Sequence, residues 1–190
     1  MVDEVFEGRS YKGLHLALGD EAKDLFDRGM RFYVGDGYKY IDDYAQVIEW
    51  LKDNGRKGLL LTGNNGVGKS VIACALIPTL MFHYLTESPH VYSAYRLSDT
   101  YRNQATMWDL IDNKPIVIDD LGTEHYYFEF GEKRDLFAEL VDQAEKDKRL
   151  MIITTNLTTD QIKERYGVRT YDRLRALTKV VSLTGESMRG

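Results

Sequence analysis

Four short stretches hold the residues whose types and spacing could do chemistry. The first, Gly63-Asn-Asn-Gly-Val-Gly-Lys69-Ser70, matches G-x-x-x-x-G-K-[ST] in full. Glycines let the backbone curl around a phosphate chain with several N–H groups turned inward. A helix starting just after the loop adds the positive end of its dipole. Gly63, Asn64, Asn65, Gly66, Val67, Gly68, Lys69, Ser70 and Val71 are therefore the candidate nucleotide-binding residues. Within them, Lys69 has the reach for β- and γ-phosphates, and the Ser70 hydroxyl suits a Mg²⁺ ligand.

The second stretch, Ile116-Val-Ile-Asp119-Asp120-Leu-Gly122, is apolar and ends in two carboxylates. Asp119 suits a metal ligand, and Asp120 a group that orients and polarises an attacking water. A strand followed by a surface turn has the same composition, and it is the phosphate loop upstream that favours the catalytic reading. The third stretch, Met151-Ile-Ile-Thr154-Thr155-Asn156, is another apolar run with a polar end. Asn156 could hydrogen-bond a lytic water or a γ-phosphate, or simply form a turn. The fourth is rich in arginine. Arg169 and Arg173 are four residues apart and share one face of a helix. An arginine offered to a neighbour's γ-phosphate stabilises transition-state charge. Pairing with surface carboxylates such as Asp172 is the alternative.

The elements that must position these groups alternate. A short helix is expected near 20–28 and another over 42–54, closed by Asn54-Gly55. Strands are expected at 58–62, 91–95, 115–119, 150–155 and 179–184. Between them the pattern predicts helices at 69–83 (bent or ended near Pro78), 97–111, 131–148, 158–166 and 170–176. Continuous apolar strands between helices predict a parallel, doubly wound sheet with right-handed crossovers. The expected division is an arm over 1–40 and a main domain over 41–190. No repeat or proline-rich linker divides the chain further.

Composition narrows the classes. The 190 residues suit one ordinary domain, and 43% hydrophobic with 29% charged residues are globular values. The single Cys74 excludes a disulfide framework and a multi-cysteine zinc site. The acidic N-terminus lacks the apolar core of a signal peptide, and no apolar run is long enough to span a membrane. A cytoplasmic protein is expected. A net charge of −5 argues against a non-specific nucleic-acid coat. Yet residues 148–190 hold nine Lys/Arg against four Asp/Glu, net +5, leaving −10 for the first 147. A basic C-terminal quarter on an acidic body could meet a polyanion or a second copy head to tail; a solvated surface is the plain alternative.

Taken together, the four stretches resemble the AAA+ ATPases of the bacterial helicase-loader and IstB type (DnaC-like). The resemblance runs from roughly Tyr40 to Arg189 and is carried by Gly58-Leu-Leu-Leu-Thr-Gly-Asn-Asn-Gly-Val-Gly-Lys-Ser, Ile118-Asp-Asp-Leu-Gly, Ile153-Thr-Thr-Asn, Arg169-Thr-Tyr-Asp-Arg-Leu and Gly185-Glu-Ser-Met-Arg189. It implies an α/β P-loop NTPase (AAA+) fold, a five-stranded parallel sheet with helices on both faces and no sizeable C-terminal lid domain. It implies ATP and Mg²⁺ as ligands, with Lys69 and Ser70 as Walker A, Asp119 and Asp120 as Walker B and Asn156 as sensor 1. Arg173 becomes the arginine finger acting on the adjacent subunit, Arg169 an accessory and Arg189 a sensor 2-like arginine. Head-to-tail assembly, single-stranded DNA and service to a replicative helicase or a transposase follow from the same resemblance. Arg96, Tyr101 and Arg102 fall where this group places its DNA-contacting helix. Two features depart from the pattern. Asp120 stands where AAA+ proteins at large usually have Glu, although Asp is usual for this subgroup, and Glu124 close behind is a second candidate to align water. Loaders of this type also carry a helicase-binding domain ahead of the ATPase, where only about 40 residues precede the core here. Tyr38, Tyr40 and Ile41 are candidates for an adenine-facing wall. A P-loop small-molecule kinase and an ATP-dependent binding module with negligible hydrolysis share the loop and the sheet.

Overall fold

The computed structural model describes residues 13–97, 114–125, 127–129 and 132–187. Five strands form one parallel sheet: β1 (Gly58–Gly63), β2 (His90–Ser93), β3 (Ile116–Leu121), β6 (Met151–Thr155) and β7 (Thr178–Leu183), in the order β2-β3-β6-β1-β7. A separate antiparallel hairpin pairs β4 (Tyr127–Glu129) with β5 (Glu132–Arg134). The helices are α1 (Ala22–Val34), α2 (Tyr44–Lys52), α3, α4 (Leu136–Asp147), α5 (Thr159–Tyr166) and α6 (Val168–Leu177). Helix α3 runs as Lys69–Val71, a π-helical turn Ile72–Leu76 and Ile77–Leu85.

Side chains on successive strand residues point to opposite faces, so an apolar strand needs cover on both. Leu59, Leu61, Val117, Ile152 and Val181 pack with Phe26, Met30, Tyr44, Trp50, Ile72 and Leu76 from α1, α2 and α3. Leu60, Ile116, Ile118, Met151 and Ile153 pack on the other side with Leu136, Phe137, Leu140, Ile162 and Leu174 from α4, α5 and α6. The sheet is thus sandwiched as the sequence pattern predicts. Among the described residues no helix is long and apolar enough to cross a membrane.

Four elements differ from expectation. The arm helix extends past Arg28 to Val34. Ala22, Phe26 and Met30 form a buried stripe four residues apart, and Leu16 ahead of it is fully buried. Residues 13–34 therefore share the core of the sheet; the exposed face carries so much charge that it hid the stripe. The approach is close: a Cβ on Gly29 would lie 2.2 Å from Leu76 Cδ1. Pro78 does not end α3, which continues to Leu85. It lies in the first turn after the π-helical segment, where a missing N–H is tolerated. The helix expected from 131 starts only at Leu136, because Asp135 caps it by accepting from the Ala138 amide at 3.0 Å. Residues ahead of it pair Tyr127 with Arg134 and Glu129 with Glu132 in the hairpin. The strand expected to reach Tyr95 stops at Ser93 and passes into a 3₁₀ turn, Ala94–Arg96. The helix expected beyond Leu97, to 111, lies outside the described residues. By contrast, Thr158 caps α5 in a full capping box with Gln161, as its position suggests.

Phe26→Ala is expected to cost about 3–5 kcal/mol of unfolding free energy. Urea denaturation reads this as a lower midpoint at unchanged slope. A loss under about 1 kcal/mol would remove α1 from the core.

Candidate functional site

Strand β1 delivers the glycine-rich loop and α3 leaves it. Two glycines are dictated by geometry. At Gly63 (φ 117°) a Cβ would sit 2.0 Å from the Leu183 carbonyl oxygen, and at Gly66 (φ 79°) 2.1 Å from the Ser187 hydroxyl. The loop is held from three sides. The buried Tyr44 of α2 donates to the Val67 carbonyl at 2.9 Å, and burial pushes its hydroxyl pKa up to about 12. The Asn64 amide donates to the Leu183 carbonyl, and its side chain to the Thr184 carbonyl, both at 3.0 Å. Thr184 in turn donates to Asp43 through its N–H (2.7 Å) and its hydroxyl (2.9 Å). From inside, Lys69 Nζ donates to the carbonyls of Gly63 (2.9 Å) and Asn64 (2.5 Å).

Strand β3 carries the two aspartates through a local irregularity. Ile118 pairs with Ile153, but Leu121 pairs with Thr155, so β3 has one more residue than β6 between these points. The extra residue is accommodated at Asp120, whose φ of 56° is left-handed. That conformation costs a non-glycine residue about 1–2 kcal/mol. Thr154, fully buried on β6, sits opposite. Its hydroxyl donates to Asp119 Oδ1 at 2.6 Å and accepts the Asp120 amide at 2.9 Å. One side chain thereby holds the Asp119 carboxylate and the Asp120 backbone. The neighbouring Thr155 hydroxyl, also fully buried, donates to the Leu121 carbonyl at 2.7 Å and accepts from the Leu157 amide. Glu124 has a different task. It accepts from Arg165 Nε at 3.1 Å, from the Tyr166 hydroxyl and from the Gly122 amide at 2.8 Å. Burial, and the hydrogen bond to Glu124, raise the Tyr166 pKa.

A cavity of about 240 Å³ opens at the C-terminal ends of β1, β3 and β6. Asn65, Gly66, Gly68, Lys69, Ser70 and Val71 line one side, and Asp120 and Asn156 the other. Gly63, Asn64 and Val67 support the loop from behind through the contacts given above. Tyr33 and Val34, from the end of α1, close the cavity; Tyr33 Oη is hydrogen-bonded to Thr79 Oγ1 at 2.6 Å. No spacing pointed to them, because a lone Tyr-Val pair at a helix end carries no motif. The three candidates for an adenine-facing wall do not line this cavity. Tyr38 is buried and donates to Asp27, Tyr40 lies edge-on to Tyr44, and Ile41 lies beneath Gly185. Thr154 was legible only as a hydroxyl at the end of an apolar strand.

Among the described residues, Arg96, Arg169 and Arg173 do not line this cavity. Arg173 pairs with Asp142 and, at 2.9 Å, with Glu145, both on α4 of its own chain. Arg169 is exposed near the start of α6. Arg96 is exposed in the turn after β2, whereas Tyr101, Arg102 and Arg189 lie outside the described residues. Of the aromatic run 125–130, the His125 ring meets Tyr95 edge-on with centroids 5.1 Å apart.

A parallel sheet in this strand order, with a phosphate loop, an Asp-Asp strand end and an Asn between them, defines an AAA+ P-loop nucleotide-binding protein. The sequence model of the IstB-like ATP binding proteins matches residues 8–190, and the chain belongs to that family. No curated protein sequence matches it. Among solved structures, the DnaC helicase loader is similar in fold, with a TM-score of 0.64 and 16% identity over 85% of this chain and 99% of that one. DnaI is similar with a TM-score of 0.56 and 21% identity, over 92% and 88%. A putative primosome component from Streptococcus pyogenes gives a TM-score of 0.56 and 16% identity, over 90% and 85%.

Cys74, in the π-helical turn of α3, reports on the back of the site. Burial, then the adjacent Asp119 carboxylate, push its thiol pKa up to about 12. Because the folded value exceeds the unfolded one, the contribution to stability is full below about pH 8.5 and fades as pH rises through the folded value. Alkylation by iodoacetamide at pH 8 is expected to be at least about 100-fold slower in the native protein than in the urea-unfolded chain. Equal rates would contradict this placement of Cys74 behind Asp119.

Proposed function

We propose that this chain is an ATP-hydrolysing AAA+ switch that assembles head to tail in the cytoplasm and acts on DNA beside a replicative helicase. The IstB-type alternative, service to a transposase, uses the same ATPase. The observation that carries the reading is the convergence of Lys69, Ser70, Asp120 and Asn156 on one cavity, with Asp119 fixed beside Asp120 by Thr154.

In this reading the loop amides and Lys69 take the phosphates of ATP. The Ser70 hydroxyl and the Asp119 carboxylate are hard oxygen donors of the kind that hold Mg²⁺ together with substrate phosphates. The donor set fits, since Thr154 and Cys74 both direct hydrogen bonds at Asp119 and so fix its orientation. When bound, Mg²⁺ offsets charge on the phosphate oxygens. Asp120, set by its left-handed backbone at the cavity wall, orients the attacking water, and Asn156 holds that water or the γ-phosphate. Glu124 is committed to Arg165 and Tyr166, which favours Asp120 for the water. Tyr33 offers a ring for the base. Arg173 faces α4 and not its own loop, which suits a residue that serves the neighbouring subunit, with Arg169 beside it. Ser187 against Gly66 brings the chain to the loop two residues before Arg189. That suits Arg189 as a further phosphate partner. Arg96, Tyr101 and Arg102 remain the proposed contacts to single-stranded DNA.

The test is the ATP hydrolysis rate per subunit against protein concentration, with and without single-stranded DNA. The rate is expected to rise with both. Lys69→Ala should abolish it. Arg173→Ala should retain ATP binding and lose about 10³-fold of the assembly-dependent rate. A flat, DNA-independent rate unaffected by Arg173→Ala would mean a monomeric NTPase. Phosphate transfer to a nucleoside monophosphate would mean a kinase. Tyr33→Ala should weaken ATP binding about tenfold, the scale of one lost stacking contact, and unchanged binding would remove Tyr33 from the base site.

A further inference from the structure

The sheet has a second edge, at the N-terminal ends of its strands, facing away from the cavity described above. Strands β6, β1 and β7 are neighbours, so the residues just before each of them meet there. Arg56 and Lys57 precede β1, Lys148 and Arg149 precede β6, and Leu177 precedes β7. With Gly13 they line a cavity of about 290 Å³. Four of its lining residues are cations and none is acidic.

The cavity is built, and its cations are positioned. Arg56 and Lys148 both hold left-handed backbone, at φ 60° and 53°, which such residues adopt at a cost. The Arg56 turn is secured by Asn54 Oδ1, which accepts its amide at 3.0 Å, and Arg56 Nη1 donates to the Gly13 carbonyl at 3.0 Å. Gly13 forms a wall of bare backbone: a Cβ there would lie 3.0 Å from the Lys148 carbonyl oxygen and 3.4 Å from that of Arg56. The Arg149 side chain is only 6% accessible, with Asp147 Oδ2 3.8 Å from its Nε. Asp147 also accepts from Gln143 Nε2 at 2.8 Å. Four cations gathered around one concavity repel one another, and a multivalent anion removes that cost.

We propose that this cavity binds a phosphate of a nucleic-acid strand, on the opposite edge of the sheet from the ATP cavity. A strand fits better than an isolated anion, because Arg56, Lys57 and Lys148 are exposed residues lining one cavity. Successive phosphates can therefore meet successive cations. The site also gives a physical role to the basic quarter that begins at Lys148. The inference rests on DNA as the partner but not on hydrolysis.

The experiment is fluorescence anisotropy of labelled oligothymidylate against salt concentration, without nucleotide. It compares the wild type, Lys57→Gln/Lys148→Gln and a control of equal charge change, Lys23→Gln/Lys52→Gln, on α1 and α2. The cavity variant is expected to bind about tenfold more weakly, with the slope of log K against log salt reduced by about 1.4, two single-strand phosphate contacts. The control should match the wild type. ATP binding, measured on all three proteins, should be unchanged and so reports that the cavity variant is folded. Oligonucleotide binding and slope equal to the wild type overturn this site alone. A wild type that binds no oligonucleotide overturns the site together with the DNA partner, and leaves the ATPase reading to its own assay. If the variant keeps oligonucleotide binding but loses a thermal shift with pyrophosphate, the site takes free phosphate and the proposal fails. If it keeps oligonucleotide binding but loses self-association in sedimentation, the edge is a subunit contact and the proposal again fails.

Discussion

A single threonine hydroxyl between two strands holds the acidic end of β3 in place. Thr154 donates to the Asp119 carboxylate and accepts the Asp120 amide. Buried hydroxyls and amides must be paired, and here the pairing is reciprocal across the β3–β6 boundary. It supports the left-handed backbone of Asp120, since a net hydrogen bond of about 1 kcal/mol is comparable with the conformational cost. Two adjacent aspartates in a regular strand would face opposite sides of the sheet. The extra residue in β3 and the Thr154 bond change that, leaving Asp120 in the wall of the cavity and Asp119 fixed beside it, next to Cys74.

The strand order makes this possible. Strand β6 lies between β1 and β3, so Asn156 emerges between the phosphate loop and the acidic strand end. The loop itself depends on elements distant in sequence. Tyr44 holds it from α2, and the tail after β7 holds it through Asn64 and Gly66. Helix α1 packs on α3 and carries Tyr33 to the cavity rim. The candidate nucleotide site is therefore supported from the α1–α3 face of the sheet and by the tail after β7, and the arm is part of it.

Much of this was legible in the sequence. The loop, the Asp-Asp strand end and the Thr-Thr-Asn strand end are local patterns, and the strands are continuous apolar runs, so their positions and parallel arrangement followed. What escaped was non-local. The arm helix outruns its sequence signal because its stripe of Ala22, Phe26 and Met30 is narrow and its other faces are charged. Strand β5 of the hairpin falls inside the helix expected over 131–148 because its residues do not break helical spacing, and only the Asp135 cap marks the true start of α4. Tyr33 carries no motif, and its place at the cavity depends on how α1 packs. The ion pairs of Arg173 with Asp142 and Glu145 are likewise tertiary, since α4 and α6 meet only once the sheet has formed. The basic excess after residue 147 was visible as a count, but only strand order shows that Arg56, Lys57, Lys148 and Arg149 share one edge.

The most direct test of the account is calorimetric titration of ATP, with and without Mg²⁺, into the wild type, Thr154→Val and Thr154→Ser. If the Thr154 hydroxyl fixes Asp119 for the cation, Thr154→Val should bind Mg·ATP at least about tenfold more weakly, a loss of about 1.4 kcal/mol. Its binding of metal-free ATP should be unchanged, and Thr154→Ser should restore the wild-type value. A folded Thr154→Val protein that binds Mg·ATP as tightly as the wild type would contradict the account.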